Sequence, residues 1–595
     1  MKRLRTGAAA RLSVLVAISA CALIASAPGA LATHGGDREV TVASNDAIFS
    51  QNKQNEPAIA VDANHPNVLA AGSNDNIDME ACNAGNDTTC PFTPDVGGSG
   101  IYFSFDSGDT WIQPEYTGLT ARGCLGEVGP DDPDCVPEQG PIGTLPHYDQ
   151  AGLVSDGDPA LAFGPQPGAD GSFSWDNGSR LYYANLTSNV SASLGEPGVK
   201  GVEGIAVSRS DDVVAAAAGD ESAWMAPVIA SKQSSATFAD KEQLWADNAA
   251  SSPFFGNVYI CYASFTGNGA APMVVSRSIN GGDSWSTKQV SPAHNVAPGR
   301  WGQSGCTIRT DSDGVVYVFW EQFQSPFRFL PPVGTHFMAK SFDGGVSWTR
   351  PRALRQVTDP CAFLDPVLER CVEDGVAGAR NDLSAAPSVD IANGAPTGAD
   401  ATDFMITAWA DGRDGVNNEH VLVSTSPKGG TSWSDPVAIE DGGDRGYYAA
   451  PALSPNGTDA YVVYNAFTTP FRDDTSSLRG LVGVVKHADV SGATLGAWAT
   501  LHRGAEGDPR GSSQNNLVAE FLGDYVYAVA TRTYAAAVWN DARDAADCPA
   551  IDAWRMSLQT EDTSDDVPTP APQQDCPATF GNTDIFGWSG LDPTP

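Results

Sequence analysis

One eight-residue pattern recurs four times along the 595 residues, and it limits the folds open to the chain. It reads Ser104, Asp106, Gly108, Trp111 in one copy and Ser341, Asp343, Gly345, Trp348 in another, at the same internal spacing. Two looser copies are Ser278, Asn280, Gly282, Trp285 and Ser426, Lys428, Gly430, Trp433. Asp or Asn at the second place closes a turn by accepting bonds from nearby backbone N–H groups. Glycine supplies positive φ, and Trp anchors the following strand in the core. Lys428 cannot accept such bonds, so the fourth copy is expected to rest on Gly430 and Trp433. Repetition of this kind signals like units side by side rather than unrelated domains.

A second recurrence lies upstream of these turns. Stretches rich in Val, Ile, Ala and Tyr end in polar or aromatic loops at 69–75, 181–185, 258–264, 316–321, 406–411, 461–465 and 535–541. This gives seven units, most opening on a polar residue followed by a short apolar strand. The seventh shows three strands of its own, at 521–530, 534–540 and 551–558. Residues 39–43 are expected to supply its fourth strand and close the ring, which removes exposed sheet edges. The fold class is therefore all-β: a single β-propeller of seven four-stranded units over 33–560. A Pro-, Thr- and Asp-rich linker and a disulfide-tethered tail follow over 561–595.

The repeated turn resembles the Asp box (BNR repeat) of the secreted bacterial sialidase-like propellers, and in architecture the resemblance covers most of the chain beyond residue 32. That family generally has six blades, so a six-bladed ring is the alternative to the seven units counted. The resemblance implies an extracellular carbohydrate or glycoconjugate as ligand and a glycoside hydrolase as activity, of exo-sialidase type. The alternative is a non-catalytic binding or scaffold propeller. The family's catalytic set is an arginine triad on a sugar carboxylate, a Tyr nucleophile helped by Glu, and an Asp acid/base. An Arg-Ile-Pro motif near the first blade accompanies it. No such motif precedes Ser104 here; the nearest string, Phe327 to Pro331 around Arg328, sits mid-chain, lacks the Ile and is one residue too long. No GxSxG elbow supports serine-hydrolase chemistry.

In a propeller the openings of the inner strands share a face with the loops after the second strands, and ligands usually bind there. Glu56, Asp158, Glu242, Asp382 and Asp524 open five units. As a ring they would suit Ca²⁺ through oxygen ligands; otherwise they tie neighbouring strands through backbone hydrogen bonds. No cofactor is required by this reading. The strand-end loops offer Glu321, Asp411 and Asp541 as candidate catalytic carboxylates and Arg328, Arg413, Arg472 and Arg543 as candidate substrate-binding arginines. Asp411 with Arg413 and Asp541 with Arg543 are near copies, as are the strings around Arg328 and Arg472. Such repetition fits internal ion pairs as well as a ligand site.

The first residues read as an export signal. Lys2, Arg3, Arg5 and Arg11 precede an apolar run, and cleavage is expected after Ala32; a lipoprotein signal at Cys21 is the lesser alternative. No later stretch is long and apolar enough to span a bilayer. Ten of the eleven cysteines remain after the signal, an even number suited to an oxidising compartment. Spacing pairs Cys82 with Cys90, Cys124 with Cys135 and Cys361 with Cys371. Elimination pairs Cys261 with Cys306 and Cys548 with Cys576. The eight histidines show no metal-ligand spacing, so no zinc is expected. A net charge of −38 repels polyanions and makes nucleic acid an unfit partner. A secreted monomer is expected.

Overall fold

The computed structural model describes residues 36–83, 93–124, 126, 135–191, 199–267, 270–293, 301–324, 332–368, 370–559 and 567–595. The expected signal over 1–32, Cys90 and Arg328 lie outside them.

The described residues form nine small antiparallel sheets. Two are insertions: the hairpin Tyr116–Thr120 with Glu138–Ile142, and a three-stranded sheet spanning Phe363–Leu364, Cys371–Asp374 and Ala379–Arg380. Each of the other seven has one strand that faces its counterparts in neighbouring sheets. In chain order these inner strands are Gln54–Val61, Ala160–Pro167, Thr237–Ala246, Trp301–Thr310, Ser388–Ile391, Arg445–Leu453 and Tyr527–Ala530. Each contacts the next, and the last contacts the first. The arrangement is propeller-like. Behind the inner strands lie apolar second strands such as Val258–Thr266, Met405–Asp411 and Asp459–Phe467, buried along most or all of their length. Continuous apolar runs are what a strand covered on both faces requires.

The first and last strands share one sheet, ordered Arg38–Glu39, Asp584–Leu591, Tyr534–Asp541, Tyr527–Ala530. Val40 N continues the pairing by donating to Ile585 O at 2.8 Å. Two expectations change here. Residues 551–558 are not a strand: Pro549–Leu558 is a helix, with Pro549 in its first turn and Ile551, Trp554 and Arg555 buried at helical spacing. The third strand comes instead from Asp584–Leu591, within the stretch read as a tail, whose Phe586 pairs with Trp539. The disulfide Cys548–Cys576 is present between the helix and this strand, as are Cys124–Cys135, Cys261–Cys306 and Cys361–Cys371.

Three of the four repeated turns share one hydrogen-bond pattern. The serine hydroxyl donates to the Asp or Asn two residues on and accepts from the glycine N–H: Gly108 N to Ser104 Oγ at 2.9 Å, Gly282 N to Ser278 Oγ at 2.9 Å, Gly345 N to Ser341 Oγ at 2.8 Å. The carboxylate or amide oxygen then accepts from the N–H four residues on, as from Thr110 to Asp106 at 2.9 Å. The fourth turn departs from the expectation. Lys428 reaches out of it to Asp313 at 2.6 Å and to buried Asp403 at 2.7 Å, so an ion pair joins Gly430 and Trp433 in holding that turn.

Candidate active site at the channel mouth

The first four inner strands enter the ring through the same backbone device. Glu56, Asp158, Lys241 and Gly305 have φ of 57°, 54°, 56° and 62°. In three of these strands the pairing register shifts at that point, between Asn55 and Ala58, Asp240 and Gln243, and Ser304 and Thr307. A bulge of this kind re-aims a side chain. A left-handed conformation at a non-glycine residue costs about 1–3 kcal/mol and clusters at functional sites. Here three such side chains converge. The Lys241 ammonium lies 3.4 Å from Asp158 Oδ2 and 3.8 Å from Glu56 Oε1, and it also pairs with Asp524.

Second partners hold Glu56 and Asp524 and the backbone of Asp158. Asn74 donates to Glu56 Oε2 at 2.6 Å, and its amide oxygen accepts from Asp158 N at 2.7 Å. Arg380 Nη2 reaches Asp524 at 3.3 Å, its Nε reaches Asp382 at 3.5 Å, and its guanidinium stacks 4.2 Å from the Phe521 ring. Arg370 also pairs with Asp382. The Tyr448 hydroxyl lies 3.2 Å from Asp524 Oδ1, and the Tyr525 ring lies 5.4 Å from Lys241 Nζ. The disulfide-bonded Cys361–Cys371 insertion carries Arg370 and Arg380 into place.

These surroundings drive the carboxyls apart in acidity. Burial would raise Asp524, but Lys241 and Arg380 outweigh it and hold that group at about 2. Burial, then the charge of Asp158, pushes Glu242 well above the carboxylate range. Both Glu242 oxygens are enclosed without a hydrogen-bond partner. Burial similarly takes Glu203 up to about 9 and Asp240 to about 6. Glu242 and Asp524 line one narrow cavity of about 80 Å³ together with Lys241, Asp382, Tyr448 and Tyr525. A wider cavity of about 460 Å³, lined by Asp158, Lys241, Arg370, Arg380 and Asp382, adjoins it.

The ring proposed for Ca²⁺ thus gathers Glu56, Asp158 and Asp524 around an ammonium group rather than leaving a space among oxygens. Among the described residues, two other groups hold ligand atoms within 4.8 Å of one another and could coordinate a cation: Asp459, His487 and Asp489, and Glu39, Asp46 and Asp584. A third, Glu80 with Cys124 and Cys135, has its sulfurs tied in a disulfide.

The strand-end candidates sit in different surroundings. Asp411 accepts from Arg413 Nε at 2.7 Å, Arg413 Nη2 at 2.6 Å and Trp409 Nε1 at 2.9 Å. Asp541 repeats this with Arg543 and Trp539 at 2.9, 2.6 and 3.0 Å. Arg543 also pairs with Asp37 at 2.5 Å and lies over the Phe586 ring. Each Trp-x-Asp-x-Arg string is a closed unit whose fork is filled by its own carboxylate. Glu321 is fully buried, pushed well above the carboxylate range by burial and by Asp359 next to it. Arg472 is exposed.

Lys241, Arg370, Arg380, Tyr448 and Tyr525 were not read from the sequence. The repeated entry into the inner strand was the available signal: Lys241 has the positive φ that Glu56 and Asp158 have at the same place, which puts it in the ring and Glu242 one residue further along.

No family model matches the chain, and no curated protein matches it. Among solved structures it is similar to a Hadza microbial sialidase at 12% identity and TM-score 0.38, over 69% of this chain and 63% of that one. It therefore spans less than two thirds of that protein. It is also similar to an α-L-arabinofuranosidase from Fusarium graminearum at 12% identity and TM-score 0.36, over 72% and 92% of the two chains. A third is the intramolecular trans-sialidase from Ruminococcus gnavus, at 10% identity and TM-score 0.36, over 71% and 93%. The relationship to these carbohydrate-active enzymes is distant.

Proposed function

We propose that this chain is an exported, seven-bladed β-propeller of the Asp-box kind, closed by its N-terminal strand, that acts on extracellular glycans at the channel mouth. The blade count rests on seven inner strands in cyclic contact, and the Asp-box assignment on the shared turn pattern. One observation carries the chemistry. Glu242 and Asp524 line the same cavity, and their surroundings favour the protonated form of the first and the ionised form of the second. An acid and a carboxylate on one cavity suit glycosidic bond cleavage: the acid protonates the leaving oxygen, and the ionised carboxylate stabilises developing positive charge. Lys241, Arg370 and Arg380 would hold and orient hydroxyl or carboxylate groups of the sugar. A binding propeller without turnover would use the same mouth, and the same experiment separates the two.

The test is a panel of chromogenic glycosides that includes sialosides, run beside direct glycan binding, with wild type and Glu242→Gln. Gln keeps the size and shape of the protonated acid, so the variant should fold. Hydrolysis by wild type that falls about 100-fold or more in the variant supports the acid role. Binding without hydrolysis in both would leave a lectin-like propeller. Neither binding nor hydrolysis across the panel would sink the glycan reading.

A further inference from the structure

Below the mouth the channel opens into a second cavity of about 230 Å³, lined by residues of all seven inner strands. We propose that it is a separate binding site for a small, uncharged aromatic molecule carrying one hydrogen-bond donor. Gln243 and Tyr527 line both this space and the narrow mouth cavity, forming the neck between them. The proposal does not depend on what the mouth binds.

Size is the first argument. Ala58, Ala60, Ala162, Ala528 and Ala530 are among the lining residues, and their short side chains leave room between the strands. An apolar cavity of about 150 Å³ is enough for benzene, so this one has room for a ring with a substituent or for a fused pair. The walls supply flat partners in Phe163, Trp245 and Tyr527.

Polarity is the second. The lining holds the pair Arg309 and Asp390, with Arg309 Nε 3.4 Å from Asp390 Oδ1. Arg309 Nη1 donates to Gln243 at 3.1 Å, and the guanidinium lies 4.6 Å over the Trp245 ring. Asp390 Oδ2 accepts from Leu453 N at 2.8 Å. The other charged lining residues are paired too, Asp62 with Ser179 and His65 and Arg532 with Asp400, so the site has no excess charge to recruit an ion, and a chain of net charge −38 disfavours anions at a distance. The long Arg309 contact leaves Asp390 Oδ1 able to accept from a ligand O–H or N–H. A neutral ring with one donor matches the aromatic and alanine walls and Asp390 Oδ1 together.

Phenol and indole are the probes, titrated into the full chain by calorimetry with Trp fluorescence as a second readout; benzoate is the anionic control. Saturable one-to-one binding of at least one neutral probe is expected, with benzoate about tenfold weaker or worse. Ala528→Leu should abolish binding by filling the space, and the milder Ala530→Val should weaken it several-fold even if the first variant folds poorly. Glycan binding or turnover at the mouth should be unchanged in Ala530→Val. The proposal is overturned if wild type shows no saturable binding of either probe, if benzoate binds as well, or if both filled variants bind like wild type.

Discussion

Glu56 and Lys241 hold one backbone conformation, φ 57° and 56°, on the inner strands of two different sheets, and their side-chain ends lie 3.8 Å apart. The lysine is surrounded: Asp158 and Asp524 approach it from the segments that lead into two other inner strands. Replacing it by Met strands three buried carboxyls together, and breaking a buried pair from one side typically costs about 3–5 kcal/mol. Protons can substitute for the missing charge, so Lys241→Met should lose less stability in acid than at neutral pH. Melting curves of both proteins at about pH 5 and about pH 8 check this. An equal loss at both would show that the ammonium is not what offsets the carboxylates.

How much of this was legible in the sequence follows from which interactions are local. The turns were readable because Ser104, Asp106, Gly108 and Trp111 act within eight residues, and their hydrogen bonds are made there. The disulfides of the insertions were readable for the same reason. Lys428 was misjudged because its partners Asp313 and Asp403 come from outside the turn. The third strand of the last sheet was misplaced because 551–558 carries apolar residues at a spacing that a helix uses as well as a strand does. The true strand lies beyond it in the chain. At the mouth, carboxylates at the unit openings were visible, but the bulge that puts Lys241 rather than Glu242 among them is a matter of register. Register is set by pairing between strands.

Lys428→Ala should therefore be felt. Asp403 is buried and would lose its ammonium partner, keeping bonds from Ser312 N and Oγ at 2.8 and 2.7 Å. Lys428 is itself about half exposed, so screening by solvent limits the loss to about 1–2 kcal/mol. Urea titration at low and high salt would show it, the loss being larger at low salt. No change at either salt would leave Gly430 and Trp433 as sufficient supports of the turn.

Arg413 and Arg543 repeat one another in contacts to their own aspartates but not in what lies beyond. Arg543 additionally pairs with Asp37, ahead of the N-terminal strand, and covers Phe586 on the neighbouring strand. Arg543→Ala should thus lower the melting temperature more than Arg413→Ala, and neither should alter glycan binding. A loss of glycan affinity in either variant with an unchanged melting temperature would return these arginines to the ligand site.

The pH dependence of stability should run opposite to the usual pattern for surface ion pairs. Burial pushes Asp156, Asp247 and Asp359 each up to about 7 from an ordinary 3.8. A raised carboxyl binds its proton in the folded chain where the unfolded chain has lost it. Its contribution is therefore complete below 3.8 and is lost as pH rises through 7. His336, lowered by burial from 6.5 to about 3, acts in the other sense: its contribution is present above 6.5 and is lost as pH falls through 3. Glu203, Asp552 and Asp584, raised mainly by burial to about 9, 8 and 8, act with these aspartates against His336 and Lys53, the latter lowered by burial to about 7. The melting temperature should therefore be higher at about pH 5 than at about pH 8. Asp247→Asn is the sharper measurement. Asp247 is fully buried and accepts from Ser252 at 2.5 Å and Thr310 at 3.3 Å. The amide imitates its protonated form, so the variant should gain on wild type at about pH 8 and hold no advantage at about pH 5. A variant that is less stable than wild type by the same margin at both values would mean that Asp247 is ionised in the folded protein.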